Sequence, residues 1–558
     1  MFKRIVIVLV NTMLLMLLLI SVVAAAQDIP TNITAKSADP ISLSPITDPV
    51  TVITVTSGTD PDDSNSKTCY TDPVGPPGPP TTPCTLRRAI VEASALGPEA
   101  RPILIRFDIP EDPAEGYDPV LDVWKIELYA TTDTVELGRL KDGQVIIDGS
   151  TQPGGRSDGP KIILLGPGTG NKDGLVVGDV AGDNANEIRG LAFQNFRVHL
   201  YVNTNDNIIE NNWFGLSDDG TEPVLRDDDP ENGTGTGGID VLSAGSGNLI
   251  QNNVFLGFDG TAASIRGEDN IFQNNLVGTK ADGTIDKQTL PSLICTEVDW
   301  LGGGGLTVQG NGSQVLNNTF AGVRQQIFAI STQPSAIVVA ADDIVVQENI
   351  IGIDSSDTKV GVCGRAIYLA GANDPEDSMV ISNTIVNPGM SGISVNGALA
   401  NGNTLWSNII EQSNQWIQVD GNALPETAIQ LGKSLPDAYE LFNPAQVTEI
   451  NGTSVTGSSG VGSPCPNCLV QVFLDDTDLV TETLQFLGET TADASGNWSL
   501  TLPFTLSNNQ GLRTTSTSNQ FNVIPGMRAG TTTKLSLLYT TGGSNGGDYE
   551  VFLPFIIR

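Results

Sequence analysis

The chain has 558 residues, long for one compact core, so several domains or an elongated solenoid is expected. With 61 glycines, 33 prolines and only 16% charged residues, the composition suits many short strands joined by tight turns and gives little support to long helices. A formal net charge of −36 and a pI near 4.1 argue against nucleic acid and anionic membranes as partners, leaving solubility or affinity for divalent cations as readings of the acidity.

The amino end reads as an export signal, residues 1–26. Lys3 and Arg4 form the basic region, Ile5 to Val23 the apolar region, and Ala24-Ala25-Ala26 before Gln27 a small-residue cleavage site. The length of the apolar run also fits an uncleaved anchor. Export makes the six cysteines disulfides rather than catalytic thiols or zinc ligands. Their order suggests Cys69 with Cys84, Cys295 with Cys363 and Cys465 with Cys468, among several formally possible pairings. Residues 27–50 form a polar, proline-interrupted leader. The cap and first coils of a solenoid are expected over 51–173. There a strand at Val52–Thr56 leads through a proline- and glycine-rich loop to a short helix, with Thr85 as its cap and Leu86, Ala89, Ile90 and Ala93 on one face. A solenoid's raw apolar end needs such a cap. Strands are expected at Ile103–Ile109, Trp124–Tyr129, Val145–Asp148 and Ile162–Leu165.

From 174 to 430 the chain restates one motif. Asn207-Ile-Ile-Glu-Asn-Asn212-Trp-Phe-Gly215 recurs as Asn248-Leu-Ile-Gln-Asn-Asn253-Val-Phe-Leu-Gly257 and Asn270-Ile-Phe-Gln-Asn-Asn275-Leu-Val-Gly278, with looser versions around Asn318, Asn349, Asn383 and Asn408. A second strand signal accompanies it: Gly238-Ile-Asp-Val241, Gly305-Leu-Thr-Val308 and Ala366-Ile-Tyr-Leu369 are examples. The fold class expected is all-β, a right-handed parallel β-helix whose alternating apolar residues share one core between coils. Asparagine serves the corner, tolerating left-handed backbone and hydrogen-bonding from coil to coil. The steps from Asn212 are 41, 22, 43, 31, 34 and 25 residues, so a long step is either one coil with an enlarged loop or nearly two coils. Three long insertions, after Gly215, Gly278 and Gly352, are expected on one face, and that face is the place to look for function. Cys295 and Cys363 lie in two of these loops, about two coils or roughly 10 Å apart.

Residues 445–538 carry shorter alternating strands and suit a small antiparallel, Ig-like β-sandwich. Residues 541–558 are a glycine-rich linker and an apolar tail too short to span a membrane.

At Cys84-Thr-Leu-Arg-Arg-Ala-Ile90 the chain resembles the Cys-Ser-Leu-Arg-Glu-Ala-Ile signature of exported bacterial right-handed parallel β-helix proteins, with Arg88 where that group usually has glutamate. Ile147-Asp-Gly-Ser-Thr-Gln-Pro-Gly154 is similar to a second stretch typical of them. Cys465-Pro-Asn-Cys468-Leu-Val-Gln-Val-Phe473 with Asp493-Ala-Ser-Gly-Asn-Trp498 resembles the sandwich that often follows such helices, and the tail is similar to carboxy-terminal tails on secreted proteins of certain bacteria. The resemblance implies architecture and a surface or adhesive role. It brings no catalytic residues.

Chemistry must therefore be sought in the residues. Hydrolysis of a glycoside wants two carboxylates, and a lyase wants a base and a cation. Asp218/Asp219, Asp227–Asp229, Asp342/Asp343 and Asp374/Glu376/Asp377 are candidates, but each lies in a turn where aspartate normally bonds its own backbone. Arg226, Arg266, Arg324 and Arg365 read as charge partners. His199, the single histidine, reads as a surface or rung residue, so no serine–histidine or cysteine–histidine system is credible. The Asp-Gly-Thr turns at Asp219, Asp259 and Asp282 give weak support to calcium, lacking an EF-hand spacing. No catalytic, cofactor or metal residue is assigned. The expected function is binding of glycan or partner surfaces at the cell surface, with a polysaccharide lyase or glycoside hydrolase on the loop face, or a purely structural envelope component, as alternatives.

Overall fold

A computed structural model describes residues 43, 45, 46, 48–60, 69, 83–128, 137–170, 172–178, 182–224, 237–258, 260–285, 304–323, 335–370, 374–412, 428–432, 435, 441–459, 465–478, 480–519 and 526–544. The expected signal peptide, most of the expected leader, Asp227–Asp229, Arg226, Arg324, Asp259, Cys295 and the apolar tail lie outside these residues.

The repeats wind into three parallel sheets. Sheet A has 11 strands, from Thr51–Val55 to Thr404–Trp406; sheet B has 11, from Tyr117–Asp118 to Ile409–Glu411; sheet C has 10, from Arg139–Leu140 to Ile429–Leu431. One pair in sheet B, Tyr117–Asp118 with Val123–Glu127, is antiparallel; every other pair in the three sheets is parallel. Each coil visits the sheets in turn, as Ile208–Glu210, Trp213–Phe214 and Gly237–Val241 do before Leu249–Gln251 begins the next. This is a parallel β-helix. Ile208 to Glu210 pair directly with Leu249 to Gln251, so the 41-residue step is one coil with an enlarged loop. The apolar residues that alternate inward align from coil to coil. Ile209, Ile250, Phe272, Val315, Val346 and Val380 form one such row. In another, the rings of Phe193, Phe214 and Phe255 stack at centroid distances of 5.1 and 5.0 Å.

The corner between sheets A and B explains the asparagine pairs. The first of each pair, Asn211, Asn252, Asn274 and Asn317, takes the left-handed backbone at φ 54 to 57°. The second is buried and runs a ladder. Asn212 Nδ2 donates to Asn253 Oδ1, Asn253 to Asn275, Asn275 to Asn318, Asn318 to Asn349, Asn349 to Asn383 and Asn383 to Asn408, at 2.9 to 3.1 Å. A shorter ladder links Asn186, Asn207, Asn248 and Asn270. These amides are consumed as scaffold. Gly215, Gly278 and Gly352 follow at positive φ, where a Cβ would collide with the carbonyls of Leu256, Ala321 and Val386 in the next coil.

Both ends are closed. At the amino end the helix Leu86–Ala93 is capped by Thr85, whose hydroxyl accepts from the Arg88 N–H at 3.2 Å, and it buries Leu86, Ala89, Ile90 and Ala93 in the helical core. Arg88 pairs with Glu92 one turn on. At the carboxy end two antiparallel sheets pack on a core containing Val447, Val455, Val470, Leu487, Trp498 and Leu512. This sandwich is also the second cap. Gln471 Nε2 donates to Leu405 O and its Oε1 accepts from the Ser407 N–H, Thr483 bridges to Ile410, and Phe473 and Leu535 join the helical core. Within the expected linker, Gly543–Ser544 forms a strand that pairs with Tyr539–Thr540 just before it. Cys69 pairs with Cys84 and Cys465 with Cys468; Cys363 is disulfide-bonded.

Candidate functional site

The insertions expected on one face do share a corner, between sheets B and C. Their described bases stack: the Ala281 N–H donates to Gly220 O at 2.9 Å and the Ser355 N–H to Gly283 O at 3.0 Å. A fourth insertion, residues 323–334, follows Gly322 at the same corner and is legible in the sequence as a further glycine after a rung. All four feed directly into strands of sheet C.

The outer face of sheet C is where polar side chains and aromatic rings converge. In the strand Val198–Val202, Leu200 and Val202 point into the core and Tyr201 points out; in Gly237–Val241, Ile239 and Val241 point in and Asp240 out. Register then sets Val176, Tyr201, Asp240, Ser264, Thr307, Val338 and Tyr368 in one outward row. At its amino-terminal end lies a cleft of about 180 Å³ lined by Arg139, Asp173, Val176, Tyr201, Asn203 and Leu242. Arg197 Nη2 donates to Asp173 Oδ2 at 2.7 Å and to Tyr201 Oη at 3.1 Å. On the neighbouring coil Arg266 pairs with Asp240. Burial, reinforced by the Asp173 carboxylate, raises the Tyr201 pKa, so its ring carries a neutral phenol. Farther along the row the Arg365 guanidinium lies 4.6 Å from the Tyr368 ring centroid. The face thus offers a ring, hydroxyls and charge-compensated arginine–aspartate pairs. Asp173 and Asp240 are each held by an arginine.

The sequence candidates are placed as follows. Asp218 pairs with Lys125 and accepts from Gln194 Nε2 at 2.9 Å. Asp219 and Asp282 are spent on their own turns. The Ser217 and Thr221 hydroxyls hold the first carboxyl low, and the Thr284 hydroxyl the second. Asp342, Glu376 and Asp377 come together at one corner: Asp342 Oδ1 accepts from the Glu376 N–H at 2.8 Å, and Arg528 pairs with Glu376 and Asp377. Burial raises the last two acids. Asp374 accepts from the Leu399 N–H at 3.1 Å. Arg266 and Arg365 are the partners of Asp240 and Tyr368. His199 is not a surface residue. It is buried edge-on to Phe196, Phe214 and Phe258, with Nδ1 2.9 Å from Gly237 O.

Sequence reasoning missed Tyr201 and Tyr368, though Tyr368 stands at an outward position of a strand it identified. It also missed a carboxylate group in the sandwich. Oxygens of Asp475, Asp476 and Glu482 lie within 4.8 Å of one another. Arg513 pairs with Asp475, and Glu482 Oε1 accepts from the Gln412 N–H of the last coil at 2.6 Å. Burial pushes Asp475 up to about 6 and Glu482 up to about 8, so Glu482 holds a proton at neutral pH. The run Asp475-Asp476-Thr-Asp478 with Glu482 was the available signal.

No protein-family model and no curated protein matches the chain. Solved structures do. An alginate lyase from Paenibacillus sp. str. FPU-7 is 13% identical over 63% of this chain and 98% of its own, with a TM-score of 0.38. The Dettilon tailspike protein is 15% identical over 84% of this chain and 78% of its own, at 0.33. A thermostable GH87 alpha-1,3-glucanase from Streptomyces thermodiastaticus strain HF3-3 is 12% identical over 63% and 64%, at 0.31. At such scores none of them bears on what this chain does.

Proposed function

We propose that this is an exported, secreted or cell-surface β-helix protein that binds glycan through the outer face of sheet C. The observation that carries the reading is Tyr201, half-buried beside a cleft of about 180 Å³ and flanked by the Arg197–Asp173 and Arg266–Asp240 pairs. A sugar ring has an apolar face and an equatorial belt of hydroxyls. Tyr201 suits the face, and a charge-compensated arginine–aspartate pair supplies donors and an acceptor for the belt. Export rests on the basic and apolar regions before Gln27; among the described residues no helix is long and apolar enough to cross a membrane.

The test is purified protein screened against a glycan panel for both retention and depolymerisation. Retention without cleavage, lost in Tyr201→Ala, is expected. Cleavage of any polymer would install the lyase or hydrolase instead, and neither retention nor cleavage the purely structural role.

A further inference from the structure

We infer that the ligand of this face is an extended, uncharged polysaccharide lying across the strands from Tyr201 to Tyr368. The inference rests on the glycan reading above and adds the direction, length and charge of the ligand. Tyr201 and Tyr368 occupy the same outward row of sheet C, separated by Asp240, Ser264, Thr307 and Val338. They are therefore five strand steps apart, about 24 Å at the usual parallel spacing. Each ring stands with an arginine from the start of its own strand or the residue preceding it: the Arg197 guanidinium is 5.9 Å from the Tyr201 centroid and that of Arg365 is 4.6 Å from the Tyr368 centroid. The second module has its own amide, Asn396 Nδ2, 3.4 Å from Tyr368 Oη.

A cleft built for a single sugar would need only the first module. Two aromatic platforms on one row, joined by the side chains of Asp240, Ser264, Thr307 and Val338, form a track. A pyranose unit in an extended chain is about as long as one strand step, so a chain bridging both platforms has about five or six units. The charge follows from the pairs. Asp173 and Asp240 are each paired with one arginine, and the chain's net charge of −36 repels polyanions at longer range. Among the described residues Asp240 Oδ1 is buried without a hydrogen-bond partner, so the row already holds an unmet acceptor.

The experiment is calorimetric titration of the full chain with neutral linear gluco- and manno-oligosaccharides of two to seven units, and with oligouronates of matching length. Affinity is expected to rise with length up to five or six units and then level. Tyr368→Ala should weaken the hexamer about tenfold and the trimer far less, while Tyr368→Phe, which keeps the ring and loses the hydroxyl that Asn396 reaches, should weaken the hexamer less than Tyr368→Ala does. A plateau at two or three units, an unchanged hexamer affinity in Tyr368→Ala, or tighter binding of oligouronates would overturn the inference while leaving the glycan reading in place. Binding of none of the probes would overturn the glycan reading itself.

Discussion

Asn252 and Asn253 are the same residue with different tasks, and substitution separates them. Asn253 is buried. Its Oδ1 accepts from the Asn212 N–H at 3.0 Å and from Asn212 Nδ2 at 3.1 Å, and its Nδ2 donates to Ile209 O at 2.9 Å. Asn253→Ala strands a buried main-chain N–H and carbonyl and is expected to cost about 2–4 kcal/mol in denaturant unfolding. Asn252 sits at φ 55°, so Asn252→Gly is expected to change stability by less than about 1 kcal/mol. Equal losses from the two variants would refute this division. The asparagine pairs themselves were plain in the sequence. Which member turned the chain and which carried the ladder was not, because that depends on φ and on a partner one coil away.

At the scale of elements, the sandwich is a lid on the last coil as well as an attached module. Removing residues 441–558 bares the strand ends at Leu405 and Ile410, and the shortened protein is expected to associate through that open end, as light scattering would show. The junction is also pH-sensitive. Glu482 has its pKa raised from 4.5 to about 8, so it favours the folded state while protonated. That contribution is complete below about pH 4.5 and is lost as pH rises through 8; Asp475, raised from 3.8 to about 6, acts in the same direction at lower pH. Melting temperature should therefore fall between pH 6 and pH 9, and Glu482→Gln should flatten the fall; an unchanged slope in the variant counts against the assignment. The strands of the sandwich were legible from their alternation. Its docking was not, since Gln471 meets Leu405 and Thr483 meets Ile410 across more than sixty residues with no local pattern to announce it.

For the molecule as a whole, the corner positions followed from the repeat, because a solenoid writes its geometry into a period, whereas the number of coils in a 41-residue step was settled only by the register of Ile208–Glu210 with Leu249–Gln251. The insertions drew attention to the corner between sheets B and C, and the proposed site lies on the adjoining face of sheet C. Tyr201 and Tyr368 were invisible as a pair, being 167 positions apart in the sequence and aligned only by register. Of the acids that invited a catalytic reading, Asp219 is occupied by its own turn, Asp218 pairs with Lys125, and Glu376 and Asp377 pair with Arg528. The central claim is that the outer face of sheet C binds neutral glycan without cutting it. Affinity electrophoresis of the parent protein and Tyr201→Ala through gels cast with neutral and acidic polysaccharides tests it most directly. Retardation of the parent by a neutral polymer, lost in Tyr201→Ala and accompanied by no shortening of the polymer, is the predicted result. Equal migration of both proteins in every gel, or a polymer cleaved by the parent, would contradict it.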